Sequence, residues 1–329
     1  MKKRILCLIL SIFICFSLFS CDAQNEENGK IKIICTLFPQ YDWLKNITQG
    51  SDAVEVSLLI ANGADPHSYQ PTAQDIMNIS NCDLIVFVGG DSDTWVQKAI
   101  DRSNNESLKS VALTELDGMT LQNISASSHT HDEDGHEHEH EGHSHGAFDE
   151  HLYLSLHNAT VATEELCKIL CQTDPENEAL YKKNAEEYKA KISALDSSFK
   201  NDLSEKENEN AFMLFADRFP FVYLLSDYGI SYAAAFEGCS TDASASFDTV
   251  IRLIKEADEH NAKYIAVTET SDKALAETVI SSTKTKDQKI ITLNSMQSVT
   301  KTQIEKGTTY LSVMEENLDL IRTAIGIKK

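Results

Sequence analysis

Twice along the 329 residues the hydropathy pattern alternates between short apolar runs and amphipathic segments with helical spacing, and this alternation constrains the fold more than any other feature. In the first stretch, residues 32–38, 54–60 and 83–88 read as strands and residues 42–48 and 72–80 as helices, with Gly50 and the Gly89-Gly90 pair as punctuation. Thr72 and Asp75 have the spacing of a capping box, which sets the start of the second helix. The second stretch repeats the pattern, with strands at 212–216, 231–236, 264–268 and 289–293 and helices at 222–228, 247–259 and 273–282. In the 247–259 helix, Phe247, Val250, Ile251, Ile254 and Ala257 would share the face that lies on a sheet. Short strands covered by helices imply parallel sheets.

Between the two stretches, residues 175–207 read as one polar helix with an apolar stripe at Leu180, Tyr181, Tyr188, Ile192, Leu195 and Phe199. Thirty helical residues span about 45 Å, enough to run past two domains. The expected architecture is therefore α/β: two Rossmann-like lobes with parallel sheets, joined by a long spine helix. The N-terminal lobe would occupy residues 31–174, the linking helix 175–207 and the C-terminal lobe 208–329.

Ligands of parallel α/β sheets bind beyond the carboxyl ends of the strands, so the loops that follow strands are informative. His67 follows the 54–60 strand, Asp217 the 212–216 strand, Cys239 the 231–236 strand and Glu269 the 264–268 strand. One imidazole, one thiol and two carboxylates at the strand ends of two lobes are metal-ligand types, and they direct attention to the interlobe cleft. Three of them have a plainer reading. A loop histidine is commonly solvated, Asp217 can pair with Arg218 or cap a helix, and Glu269 can belong to a helix N-terminus with Ser271 and Asp272.

The N-terminus carries a targeting signal. Lys2, Lys3 and Arg4 precede an apolar run from Ile5 to Phe19, which is shorter than the roughly 20 residues that span a bilayer, so residues 1–20 are expected to be a cleaved signal peptide. Leu18-Phe19-Ser20-Cys21 resembles a bacterial lipobox, which makes Cys21 the expected lipidation site and residues 21–30 a polar tether. Cleavage removes three basic residues and no acid, so the formal charge of −22 becomes more negative still. Such a charge disfavours a nucleic-acid partner and suits a cation. Cys35, Cys82, Cys167, Cys171 and Cys239 remain, an odd number that cannot form a complete disulfide framework, and Cys167 and Cys171 are poorly placed to bond to each other on one helix.

Residues 129–145 hold His129, His131, His136, His138, His140, His143 and His145 among six carboxylates. No core can form from such a segment, which reads as an auxiliary metal-collecting loop. Within it His136-Glu137-His138-Glu139-His140 matches H-E-x-x-H, but that signature works only on a regular helix, and Gly135 and Gly142 bracket it here. Directly afterwards Phe148-Asp149-Glu150-His151-Leu152-Tyr153-Leu154 returns to an apolar pattern and carries His151 between acids and a hydrophobic run.

Two of these segments resemble a known family, the metal-binding lipoproteins that feed zinc or manganese to bacterial ABC importers, among them so-called adhesins. Asp65-Pro66-His67-Ser68-Tyr69-Gln70-Pro71-Thr72 is similar to that family's D-P-H-x-Y-x-P-T, and Asp149-Glu150-His151-Leu152-Tyr153-Leu154 to its D-x-H-V-W-L. The resemblance implies that His67 and His151 are metal ligands and that Glu269 completes the site. It fails where the family carries a third histidine, because the comparable run is Ala216-Asp217-Arg218-Phe219-Pro220-Phe221, with Ala216 at the histidine position. Cys239 is the preferred replacement and Asp217 the second candidate, with water or a histidine of the 129–145 segment also open.

What the resemblance implies is a monomeric zinc receptor, lipid-anchored outside the cytoplasmic membrane, in which Zn2+ joins two lobes that alone have little reason to close. It would deliver Zn2+ to a membrane permease driven by a separate ATPase. The chain has no G-x-x-x-x-G-K-[ST] of its own. Mn2+ is the less favoured ligand, since imidazole suits zinc better. A metal-dependent surface adhesin and a zinc hydrolase are the competing readings. The hydrolase would need a catalytic motif on an ordered helix, and none is found.

Overall fold

A computed structural model describes residues 29–123, 148–203, 211–237 and 245–327. Strands β1 (Ile31–Cys35), β2 (Val54–Leu58), β3 (Leu84–Phe87) and β4 (Lys109–Ala112) form a parallel sheet in the order β2-β1-β3-β4. Strands β5 (Phe212–Phe219), β6 (Ser231–Glu237), β7 (Tyr264–Thr268) and β8 (Lys289–Leu293) repeat that order as β6-β5-β7-β8. In each sheet the chain steps outward to one side and then restarts on the other. This reversal opens a crevice at the strands' carboxyl ends.

Helices cover both faces of each sheet. On the outer face of the first, α2 (Ala73–Ser80) and α3 (Thr94–Asp101) bury Ile79, Val96 and Ala99 against Ile34, Ile85 and Phe87. The capping box expected for α2 is present: Thr72 Oγ1 accepts from Asp75 N, and Asp75 Oδ2 accepts from Thr72 N. On the outer face of the second sheet, α7 (Phe247–Glu259) and α8 (Ala274–Ser282) bury Leu253, Ala257, Ala276 and Val279. The face of α7 differs from expectation. Phe247 and Ile251 are exposed, because the contact is centred on Leu253 and Ala257, roughly 80–160° around a 3.6-residue helix from those two side chains.

The inner faces share one continuous core. It gathers α1 (Phe38–Ile47), α4 (Leu156–Thr173), α5 (Glu178–Leu203), α6 (Val222–Ser226) and α10 (Tyr310–Ile325), and takes residues from both sheets. Helix α5 is the expected spine, preceded by a 3-10 turn at Pro175–Asn177, and it buries Tyr181, Tyr188, Ile192, Leu195 and Phe199. Across the lobes, Trp43 of α1 meets Tyr310 of α10 edge-on at 5.4 Å, and Tyr310 Oη donates to the carbonyl of Tyr153 at 2.9 Å. The lobes thus have an apolar reason to stay together before any ion is considered, contrary to the expectation from sequence. A short helix α9 (Lys301–Glu305) adds a further tie, since Lys301 N donates to the carbonyl of Ala61 in the first lobe.

Two strand limits shift for identifiable reasons. β1 ends at Cys35 rather than residue 38 because Pro39 sits in the first turn of α1, where its missing N–H costs nothing. β5 continues three residues past Ala216, with a register shift between Phe215 and Arg218 against β6. Asp217 therefore lies inside a bulged strand and not in a loop beyond it. Cys167 and Cys171 are free thiols with sulfurs 4.0 Å apart, and Cys35 and Cys82 are buried free thiols. Among the described residues no helix is long and apolar enough to cross a membrane. The expected signal peptide, Cys21, the 129–145 histidines and Cys239 lie outside the described residues.

Candidate metal centre

His67 sits in a single 3-10 turn, Pro66–Ser68, reached from the end of β2. Asp65 caps that turn by accepting from His67 N at 3.0 Å, and Pro66 supplies a fixed φ at its first position. The second oxygen of Asp65 accepts from Arg218 Nη1 at 2.6 Å, so the bulge in β5 of the second lobe grips the loop that carries His67. His67 Nδ1 meets Ser92 Oγ at 2.7 Å, with Glu150 Oε2 at 3.7 Å. Glu150 is itself held by Ser92 N at 2.9 Å.

His151 is fixed from the other side. The nearly buried Asp149 accepts through Oδ1 from both His151 N and His151 Nδ1, each at 2.8 Å. A carboxylate only accepts, so Nδ1 of His151 carries the proton and Nε2 is bare. Behind this pair, Leu152, Tyr153 and Leu154 are buried, and Tyr223 Oη donates to the carbonyl of Asp149 at 2.8 Å.

These supports bring the two imidazoles together from 84 residues apart, with Nε2 to Nε2 at 3.3 Å and the rings inclined at 63°. Two nitrogens each about 2.0–2.1 Å from a tetrahedral zinc stand about 3.3 Å apart. The pair therefore has the spacing of two zinc ligands, and an oxygen-bearing group lies behind each outer nitrogen, as the second shell of a metal site requires.

The remaining predicted ligands lie differently. Glu269 accepts from Ser295 N at 2.8 Å, Ser295 Oγ at 2.8 Å and Ser298 Oγ at 3.1 Å, so it braces the loop after β8. Asp217 Oδ2 accepts from Thr268 N and Thr268 Oγ1 at 2.9 and 2.6 Å, which ties the bulge of β5 to the end of β7. Ala216 is buried in the outer core of the second lobe. Among the described residues no third His, Cys, Asp or Glu joins the pair to make a metal-binding cluster. The side chain that does reach it is Gln297, whose Nε2 lies 2.7 Å from His67 Nε2 and 2.6 Å from His151 Nε2. An amide N–H2 donates, so both imidazole nitrogens accept and His67, like His151, carries its proton on Nδ1. Sequence reasoning passed over Gln297 because glutamine is outside the usual ligand set, although the strand-end rule applied to β8 points to residues 294–298.

The electrostatics favour a neutral His67. Burial pushes the His67 pKa down, and the neighbouring His151 adds to the effect against the opposing pull of Glu150 and Asp65. Burial alone would raise Asp65, but its bond from Arg218 and those around His67 outweigh this and hold it below the usual carboxylate range. Asp93, which accepts from Val88 N and Gly89 N at the end of β3, is pushed up to about 6 by burial.

The sequence model of the family described as zinc-uptake complex component A, periplasmic, matches residues 33–324. The chain belongs to this family. Among its relatives, the zinc-binding lipoprotein AdcA of Streptococcus pneumoniae serotype 4 is 31% identical over 320 residues, which are 97% of this chain and 60% of AdcA. The chain thus spans about 60% of that relative's length. The high-affinity zinc uptake system protein ZnuA of Bacillus subtilis strain 168 is 31% identical over 306 residues, 93% of this chain and 91% of ZnuA. In three dimensions, the crystal structure of the Zn(II)-bound ZnuA-like domain of S. pneumoniae AdcA superposes with a TM-score of 0.70 at 27% identity, covering 90% of this chain and 99% of that domain. The metal-dependent lipoprotein YcdH of B. subtilis gives a TM-score of 0.70 at 28% identity, over 90% of this chain and 99% of YcdH.

Proposed function

We propose that this chain is an extracytoplasmic receptor that captures Zn2+ and passes it to the permease of an ABC importer, whose separate ATPase supplies the energy. The observation that carries the reading is the facing pair of bare Nε2 atoms of His67 and His151 at 3.3 Å, each imidazole held through Nδ1. Names and titles of relatives that specify zinc support it, as does the overall acidity of the chain. The receptor performs no reaction on its cargo. Imidazole donors favour zinc over manganese, which prefers harder oxygen ligands.

In this reading Cys21 carries a lipid that anchors a monomeric receptor to the outer face of the cell membrane, and Glu269 contributes from the second lobe by bracing the 294–298 loop. Cys239 and Asp217 remain candidates of lower rank; Asp217 is already engaged by Thr268. The histidines from His129 to His145 gather zinc for the receptor. Asn123 and Phe148 form an antiparallel bridge at the two ends of that segment, and Phe148 lies three residues before His151.

Calorimetric titration of the chelator-stripped mature chain with Zn2+ and Mn2+, repeated with residues 129–145 deleted, tests the assignment. We expect one zinc site with a Kd near nanomolar, about 12 kcal/mol, that survives the deletion. Tighter manganese binding overturns the choice of metal. Zinc binding that disappears with the deletion overturns the cleft site.

A further inference from the structure

We infer that Arg218 and Tyr223 are positioning residues of the zinc site, which hold the loops of His67 and His151 in register with each other from the second lobe without acting as ligands. The inference rests on the zinc-receptor reading and deepens it.

Both histidines are built into the same local unit. In Asp65-Pro66-His67 and in Asp149-Glu150-His151 an aspartate stands two residues before the histidine and accepts from its backbone N–H, at 3.0 and 2.8 Å. The bond ties each imidazole to its aspartate, so the placing of Asp65 and Asp149 decides where the two Nε2 atoms lie. For Asp149 the tie is double, since the same Oδ1 also accepts from His151 Nδ1 at 2.8 Å.

One short segment of the second lobe holds both aspartates. Arg218, in the bulge of β5, donates through Nη1 to Asp65 Oδ2 at 2.6 Å. Tyr223, fully buried in α6, donates through Oη to the carbonyl of Asp149 at 2.8 Å and accepts from Gln122 N at 3.0 Å. Asp149 N donates in turn to the carbonyl of Gln122 at 2.9 Å, so the peptide units on both sides of Asp149 are pinned. Between the two anchors the segment is stiff. Pro220 has a fixed φ, and the buried Phe219 and Phe221 stack on Tyr232 at 4.0 Å and on Phe215 at 5.6 Å. Residues 218–223 thus bridge the two Asp-x-His units as one rigid piece.

This piece begins just past Ala216, the position at which the resemblance expects a third histidine. It lacks that donor atom but fixes the spacing of the other two. The 3.3 Å between the Nε2 atoms is set before an ion arrives, so binding does not have to order the two loops against each other. With either anchor released, one histidine loop can shift relative to the other and the ion must hold it in place. Affinity then falls although both imidazoles remain.

The test is chelator-competed zinc titration of Tyr223→Phe and Arg218→Met beside wild type, Tyr188→Phe and His67→Ala, together with the visible spectra of the Co2+-loaded proteins. Tyr188→Phe deletes a similarly buried hydroxyl, the one that joins α5 to Asp42 of α1 at 2.8 Å, and so measures what lost stability alone does. Tyr223→Phe and Arg218→Met should each weaken zinc at least about threefold and alter the Co2+ absorption bands, while Tyr188→Phe leaves both as in wild type. Removing the Arg218 charge would by itself tighten a cation site, so weakening in Arg218→Met reports lost positioning, and unchanged or tighter binding overturns the proposal. A Kd and Co2+ spectrum of Tyr223→Phe that match those of Tyr188→Phe overturn it as well. Melting curves recorded without metal establish that Tyr223→Phe folds; if it does not, Arg218→Met decides, because that side chain is partly exposed. His67→Ala must weaken the tight site; if it does not, the receptor reading itself fails, whatever Arg218 and Tyr223 do.

Discussion

Asp149→Asn changes one atom type and tests whether the histidine pair is a metal site. Asp149 Oδ1 holds both the backbone and the ring of His151 at 2.8 Å, with side-chain exposures of only 3% and 4% for His151 and Asp149. Asparagine keeps an oxygen in that place, so the imidazole retains its acceptor and orientation. What disappears is the negative charge that polarises Nδ1–H and makes Nε2 a better donor to a cation. Removing such a partner behind a ligating histidine costs 10–100-fold in metal affinity, or about 1.4–2.8 kcal/mol. Competition against a zinc chelator at pH 7.5 measures it, with the melting temperature of metal-stripped protein as the control for folding. A Kd within twofold of wild type, in a variant that folds, would refute the argument that this carboxylate tunes a zinc ligand.

Other perturbations follow from the same geometry. A Cβ at Gly90 would overlap the Glu150 carboxylate, so Gly90→Ala should cost about 1–3 kcal/mol in stability and weaken zinc by displacing the group behind His67; a neutral result in both titration and denaturation contradicts this. Tyr310→Phe leaves the Tyr153 carbonyl without its donor in a fully buried position, and urea unfolding should show a loss of about 1–3 kcal/mol. Burial raises the pKa of Asp42, which accepts from Tyr188 Oη, to about 6, and that of Asp93 likewise. The folded protein then binds more protons than the unfolded chain between pH 4 and 6, so these two groups stabilise it at low pH and that contribution is lost as pH rises through 6. Carbon-detected NMR titration of the two carboxyls should find midpoints near 6, and midpoints near 4 would contradict the assignment to burial.

The parts of the fold that the sequence discloses are those where polarity changes abruptly. β7 and β8 have the limits expected, 264–268 and 289–293, because charged or polar residues bound both runs. β1 is misjudged at its end because apolar residues, interrupted only by Thr36, continue from Cys35 into α1, and Pro39 marks the change. α3 and β4 are short and partly exposed, with too few apolar residues to declare a period. His67 and His151 are legible through the motifs around them. The contact of Arg218 with Asp65 is not, because it depends on a bulge that places Arg218 across the cleft from a residue 153 positions away. Gln297 becomes visible only when the loop after β8 is set beside the histidines, a tertiary relation that no local pattern encodes.

Anomalous diffraction at the zinc edge, from crystals of the full chain loaded with one equivalent of Zn2+, tests the central claim most directly. The account predicts a single strong peak between the two lobes, about 2.0–2.1 Å from the Nε2 atoms of both His67 and His151. A map with zinc elsewhere and none between those two nitrogens would contradict it.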